Sequence, residues 1–126
     1  MKIITLCGSV TKTPKPVWDS IAQWETLNGN IVLMVNVWGM RDYLHNDPDG
    51  KEKKRMLDVI HKRKIAISDE VQVIRLAGYI GDSTKSEIEF AQSLDVPINY
   101  IDLNIEDLDH LPFIFAQKGD YVQNLV

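Results

Sequence analysis

Four stretches of the chain run almost unbroken in apolar residues: Lys2–Cys7 (KIITLC), Ile31–Val37 (IVLMVNV), Val71–Ala77 (VQVIRLA) and Val96–Ile101 (VPINYI). Their Val and Ile content predicts strands. Apolar residues follow one another instead of alternating with polar ones, so each strand is expected to be covered on both faces, as in a parallel sheet. Between these stretches the apolar positions take the helical period. Val17, Ile21, Trp24 and Leu27 form one stripe, with Pro14 or Pro16 to open the helix and Asn28-Gly29 to close it. Asp47-Pro48 is expected to open a second helix, which carries Met56, Leu57, Ile60 and His61. A third is expected from about Thr84 to Leu94, with Ile88, Ala91 and Leu94 or Gln92 facing inward.

Strand–helix–strand repetition implies right-handed crossovers and an open parallel sheet. The expected architecture is a single doubly wound α/β domain, flavodoxin- or Rossmann-like, with strand order 2-1-3-4 and room for a short fifth strand near Phe113–Phe115. Residues 104–126 fit neither pattern cleanly and are expected to form a docking tail. In such sheets ligands bind beyond the carboxyl ends of the strands. That places the search for chemistry in the loops Cys7–Thr13, Asn36–Asn46 and Ala77–Ser86, and in the segment after Ile101.

Composition narrows the function classes. A chain of 126 residues, 44% hydrophobic and 25% charged, fits one folded domain with a core. The longest apolar run, Ile31–Val35, falls far short of the ~20 residues that span a bilayer. The first residues carry too short an apolar stretch for a signal peptide, so a cytoplasmic location is expected. Fourteen basic against eighteen acidic residues leave a net charge of −4, which argues against nucleic acid as a partner, and the short apolar runs leave no membrane partner expected. A small phosphorylated ligand in a local pocket stays open. One cysteine makes no intramolecular disulfide and no cysteine-rich zinc site. His45, His61 and His110 share no ligand spacing, so no metal and no cofactor are expected.

Five groups of residues carry candidate chemistry. Cys7-Gly8-Ser9 ends the first strand in small residues, which let a ligand approach the backbone; a tight turn with Cys7 as a small buried hydrophobe accounts for them equally. Gly78 to Ala91 combines a strand end, the glycines Gly78 and Gly81, the hydroxyls of Ser83 and Thr84, and a helix start where backbone amides suit an anion. Glu87 lies in that first turn, but Thr84-Lys85-Ser86-Glu87 also fits a capping box. Asp58 and His61 stand three residues apart on the second helix, where they can touch, and His61 can exchange a proton near neutral pH. The basic run Lys62-Arg63-Lys64 after it suits a helix carboxyl end. Ser68-Asp69-Glu70 reads as an acidic turn before the third strand. Arg75 interrupts an apolar strand and needs a partner, a ligand phosphate or a crevice carboxylate, unless its head reaches water.

Taken together, KIITLCGS, Leu57-Asp58-x-x-His61-x-x-Lys64-Ile65, Ser68-Asp69-Glu70 and Gly78-Tyr79-Ile80-Gly81-Asp82-Ser83-Thr84-x-x-Glu87-Ile88-x-x-Ala91 resemble the nucleoside 2-deoxyribosyltransferase superfamily over about residues 1–102. The likeness is strongest to its small, often phage-encoded branch of the DUF4406 type, and extends to deoxynucleoside 5′-monophosphate N-glycosidases. The resemblance implies cleavage of the N-glycosidic bond of a nucleoside or its 5′-monophosphate, by hydrolysis or base exchange, with Glu87 as nucleophile and Asp69, His61 or Asp58 handling the proton. It implies that Cys7, Gly8 and Ser9 frame the base and sugar, and that Ser83 and Thr84, with Gly81 and Arg75 or Arg41, hold a phosphate or sugar hydroxyl. Tyr79, Trp38 or Tyr43 would stack on the base. It also implies a homo-oligomer. A catalytically silent nucleotide sensor on the same fold, or an interaction module presenting Trp38-Gly39-Met40, are the alternatives.

Overall fold

The computed structural model describes residues 1–38 and 40–111. In it the chain runs β1 (Ile3–Cys7), α1 (Lys15–Leu27), β2 (Ile31–Leu33), α2 (Arg41–Asn46), α3 (Gly50–Ala66), β3 (Glu70–Leu76), α4 (Asp82–Ser93), β4 (Ile98–Leu103) and a 3₁₀ turn at Ile105–His110. The four strands form one sheet in the order β2-β1-β3-β4, every pair parallel. The expected strand order and fold class are therefore those observed.

Period-two alternation divides each strand between two cores. Ile4 and Leu6 of β1, Ile74 and Leu76 of β3, and Ile101 and Leu103 of β4 pack against Val17, Trp18 and Ile21 of α1. On the opposite face Cys7, Val71 and Val73 meet Ile65 of α3 and Ala91 of α4. Both faces are covered, which is why the strands read as continuous apolar runs. No helix among the described residues is long and apolar enough to cross a membrane.

Element boundaries depart from the expectation where a particular contact decides them. The second strand is three residues long instead of seven, because β2 lies at the sheet edge and Met34 and Val35 turn inward onto the α1-side core. Lys64 holds that turn by donating to the Met34 carbonyl at 2.7 Å. The fourth strand begins at Ile98, two residues later than expected: Val96 N–H is taken by the Ala91 carbonyl, and Pro97 has no N–H to offer.

The expected second helix is two. Asp47 does not cap it; its carboxylate accepts from Asp49 N–H and pairs with Lys53, shaping the turn between α2 and α3. Gly50 then opens α3 in contact with α2, where a Cβ would stand 1.7 Å from the Leu44 carbonyl oxygen. On α4, Ala91 is buried and Ile88 partly so, but Leu94 and Gln92 face solvent. Past β4, Asn104 and Asp107 form a capping box and Leu108 and Leu111 pack on the α1-side core, so the described part of the tail belongs to this domain. The fifth strand near Phe113–Phe115 lies outside the described residues, as does Gly39.

Candidate functional site

The two central strands, β1 and β3, end side by side, with Cys7 paired in register to Val73. Cys7 points to the face covered by α3 and α4. On α3, His61 lies one turn before the buried Ile65 and therefore faces the same way. On α4, Glu87 lies between the buried Thr84 and Ala91 at helical spacing and also looks inward. Three side chains from three elements converge. Cys7 Sγ is 3.4 Å from His61 Nε2, and His61 Nε2 is 3.6 Å from Glu87 Oε2. The thiol, imidazole and carboxyl ligand atoms all lie within 4.8 Å of one another.

All three groups are largely withdrawn from water: the Glu87 side chain is 13% exposed and that of His61 5%, while Cys7 is fully buried. Burial disfavours charge. It pushes Glu87 up to about 7, with Cys7 and Lys62 working to lower it and Asp58 to raise it. Burial, then the charge of Lys64, pushes His61 down to about 4, so the imidazole is neutral at neutral pH. Burial and the neighbouring Glu87 carboxylate hold the Cys7 thiol well above its ordinary value, in the protonated form. The His61–Glu87 approach is therefore not an ion pair near pH 7. Glu87 Oε2 and His61 Nδ1 are both buried without a hydrogen-bond partner among the described residues.

From Glu87 a pocket of about 260 Å³ opens between the two helices, lined by Asp58 and Lys62 of α3 and by Asp82, Ser83 and Ser86 of α4. The amino end of α4 faces it. Gly81 is the N-cap and makes no side-chain cap bond, and the helix begins at Asp82, two residues before the expected Thr84. That removes the capping-box reading of Glu87, which sits a full turn inside the helix.

The expected site residues separate cleanly. Glu87, His61, Asp58, Cys7, Ser83 and the Gly81 cap come together. Asp69 does not: it lies before β3 at the amino end of the sheet, where its carboxylate accepts from Ile3 N–H at 2.8 Å. Parallel strands put that end opposite the pocket. Thr84 is buried in the helix, so its side chain meets no ligand. Gly8 serves packing, since a Cβ there would lie 3.2 Å from Trp18 and 3.3 Å from Ile74. Ser9 closes its own loop, accepting from Lys12 N–H. Arg75 has its partner already: a two-pronged contact with Asp102 at 2.6 and 2.7 Å, stacked on Tyr100. Tyr79 stands exposed beside Gly81 with Lys12 over its ring. Tyr43 and Arg41 are exposed on α2, away from the pocket lining. Trp38 packs edge-on against Trp18, with ring centroids 5.2 Å apart, so it is neither a free stacking platform nor an exposed patch.

Lys62, Asp82 and Ser86 were not among the expected site residues. Their signal was helical spacing: Asp58 and Lys62 are four apart, as are Asp82 and Ser86. A second polar cluster was also missed. Glu25, Glu70 and Gln72 are buried together at the amino end of the sheet, with Gln72 Nε2 donating to both carboxylates.

No protein-family model matches the chain, and no curated protein matches it.

Proposed function

We propose that this domain cleaves the N-glycosidic bond of a nucleoside or nucleoside 5′-monophosphate through Glu87. The observation that carries the reading is the carboxyl itself: buried, its Oε2 without a hydrogen-bond partner among the described residues, at the mouth of a pocket beyond the carboxyl ends of the central strands. A carboxylate held this far out of water is costly, with Lys62 of the pocket lining as a partial offset. Positive charge develops at an anomeric carbon as the glycosidic bond breaks, and this carboxylate would stabilise it.

In this reading the ionised Glu87 attacks C1′, and the bond to the base nitrogen breaks with its electron pair leaving on the base. The departing base takes a proton at the pocket. Of the three acid–base candidates, Asp58 is the one placed to pass it: Asp69 is at the other end of the sheet, and His61 is neutral and enclosed. Water then attacks C1′ of the glycosyl ester, a proton returns to Asp58 or solvent, and Glu87 is regenerated. A second base in place of water gives exchange.

The pocket is smaller than the roughly 300–1,000 Å³ of most small-molecule sites, which suits a sugar, with the base lying over the rim near Tyr79. The reading places the protein in the cytoplasm as a homo-oligomer, at least a dimer. Met56, Val59 and Ile60, exposed along α3, support self-association. Light scattering at micromolar concentration tests it, and a monomer would count against it. The activity is tested by incubating the protein with deoxynucleosides and their 5′-monophosphates, with and without an acceptor base, and measuring free base. Binding without release from any substrate would favour the silent sensor.

A further inference from the structure

We propose that Cys7, His61 and Glu87 form a binding site for one zinc ion. The proposal goes beyond the glycosidic reading, and only its consequence for activity rests on that reading.

The three ligand atoms are spaced as the ligands of one zinc ion are. Tetrahedral zinc with bonds of about 2.3 Å to sulfur and about 2.0–2.1 Å to nitrogen and oxygen spaces its ligand atoms about 3.3–3.6 Å apart. Cys7 Sγ and His61 Nε2 are 3.4 Å apart, and His61 Nε2 and Glu87 Oε2 are 3.6 Å apart. All three atoms fall within 4.8 Å of one another, so rotation about the Glu87 side chain closes the remaining edge. The ligands come from a strand end and from the interiors of two helices, which hold them more firmly than loops would.

Donor chemistry selects the metal. One thiolate, one imidazole and one carboxylate match a borderline-soft ion better than the all-oxygen preference of magnesium or calcium. Charge agrees as well. A thiolate and a carboxylate neutralise a divalent cation, leaving a buried site with no net charge. Binding releases the thiol proton, and that of Glu87 where it is protonated, to solvent as the bonds to the metal form. Of the three ligands Glu87 lines the pocket, so the ion would enter from that side. Occupation ties up Glu87, so the zinc form has no free nucleophile, and metal and glycosidic substrate exclude one another.

The sequence supplies a clean reporter, because Cys7 is the sole cysteine. Metal-free full-length protein is titrated with Co²⁺. The expected result is a thiolate-to-cobalt charge-transfer band in the near ultraviolet, with intense tetrahedral bands in the visible, saturating at one equivalent and bleached by Zn²⁺. His45 and His110 can bind cobalt at the surface but cannot produce the thiolate band. Cys7→Ser should abolish it, and His61→Gln and Glu87→Gln should each weaken cobalt binding by more than about tenfold. Zinc should also raise the melting temperature of the parent protein, a readout that needs no variant to fold.

Absence of the charge-transfer band at saturating cobalt overturns the site. A band whose affinity is indifferent to both His61→Gln and Glu87→Gln overturns it too, since the thiol would then be binding metal alone. Base release that persists in protein shown to be zinc-loaded overturns the exclusion. A cobalt site in a protein that releases base from no substrate removes the glycosidic reading and leaves the metal site standing.

Discussion

His61 Nε2 stands 3.6 Å from Glu87 Oε2, yet neither residue is held in place by the other's charge. Each is set by its own helix. His61 shares a face with Ile65, and Glu87 shares one with Thr84 and Ala91. The sheet end brings Cys7 to meet them. Because packing rather than ion pairing positions the carboxyl, its charge can be removed without dismantling the site.

Glu87→Gln should therefore separate chemistry from stability. Glutamine keeps the shape and carries no charge, and burial already disfavours the charge. Unfolding free energy should stay within roughly 0.5 kcal/mol of the parent or rise. Base release should fall by on the order of 10³-fold or more, as for loss of a nucleophile. Denaturant unfolding and the free-base assay are run on the same preparation. Near-full activity in the variant would show that Glu87 is not the nucleophile.

A pH effect on stability is expected from the other end of the sheet. Burial raises Glu25 from its ordinary value, and Glu70 beside it adds to this, while hydrogen bonds from Asn30, Asn28 and Gln72 act in the opposite direction. A carboxyl whose folded pKa is raised holds its proton more tightly folded than unfolded. Its contribution is most favourable below the unfolded value and is lost as pH rises through the folded one. Glu25→Gln cannot ionise, so its melting temperature should fall less than the parent's as pH rises above the ordinary glutamate value of about 4.3. Parallel melting curves over that rise in pH check it. Identical pH profiles would mean that Glu25 titrates normally.

Much of the fold was legible because its cause is local. KIITLC and VQVIRLA are covered on both faces, and an unbroken apolar run says so directly. Asn28-Gly29 closed α1 as read, with Gly29 at φ +84°. What was not legible arose from contacts between distant elements. Ser68-Asp69-Glu70 reads as the turn before the third strand, but nothing in it tells that the Asp69 carboxylate is taken by Ile3 N–H, 66 residues away. Glu25 and Gln72 are 47 residues apart, and neither sits in a motif. At the site, Cys7, His61 and Glu87 could each be picked out singly, but their convergence required the inward faces of α3 and α4. Arg75 was read correctly as needing a partner, and the partner proved to be Asp102 on the next strand rather than a ligand.

The α2–α3 junction should be intolerant of any side chain. A Cβ at Gly50 would lie 1.7 Å from the Leu44 carbonyl oxygen, which is backbone and cannot rotate away. Gly50→Ala should cost more than roughly 3 kcal/mol, or force α2 off α3. Gly78 is the control. It has φ +77° but open space around it, so Gly78→Ala should cost only about 1–2 kcal/mol for the left-handed backbone. Urea unfolding of the two variants ranks them. A Gly50→Ala protein as stable as Gly78→Ala would show that the two helices are not so closely joined.

The amino end of α4 favours an anion through its amides and dipole, and the Ser83 hydroxyl faces the same pocket. Against this stand Asp82 in the first turn and Asp58 across the pocket, with Lys62 as the lining cation. Repulsion from Asp82 should hold back a 5′-monophosphate while leaving an uncharged nucleoside unaffected. Asp82→Asn should therefore raise kcat/KM for the monophosphate relative to the matching nucleoside by several-fold, up to about tenfold for ~1.4 kcal/mol. Ser83→Ala should act the other way, weakening the monophosphate more than the nucleoside. Where no base is released, calorimetric Kd values for the two ligands serve in place of kcat/KM. If Asp82→Asn and Ser83→Ala change both ligands equally, the phosphate does not sit at the start of α4, and the pocket takes the sugar from another direction.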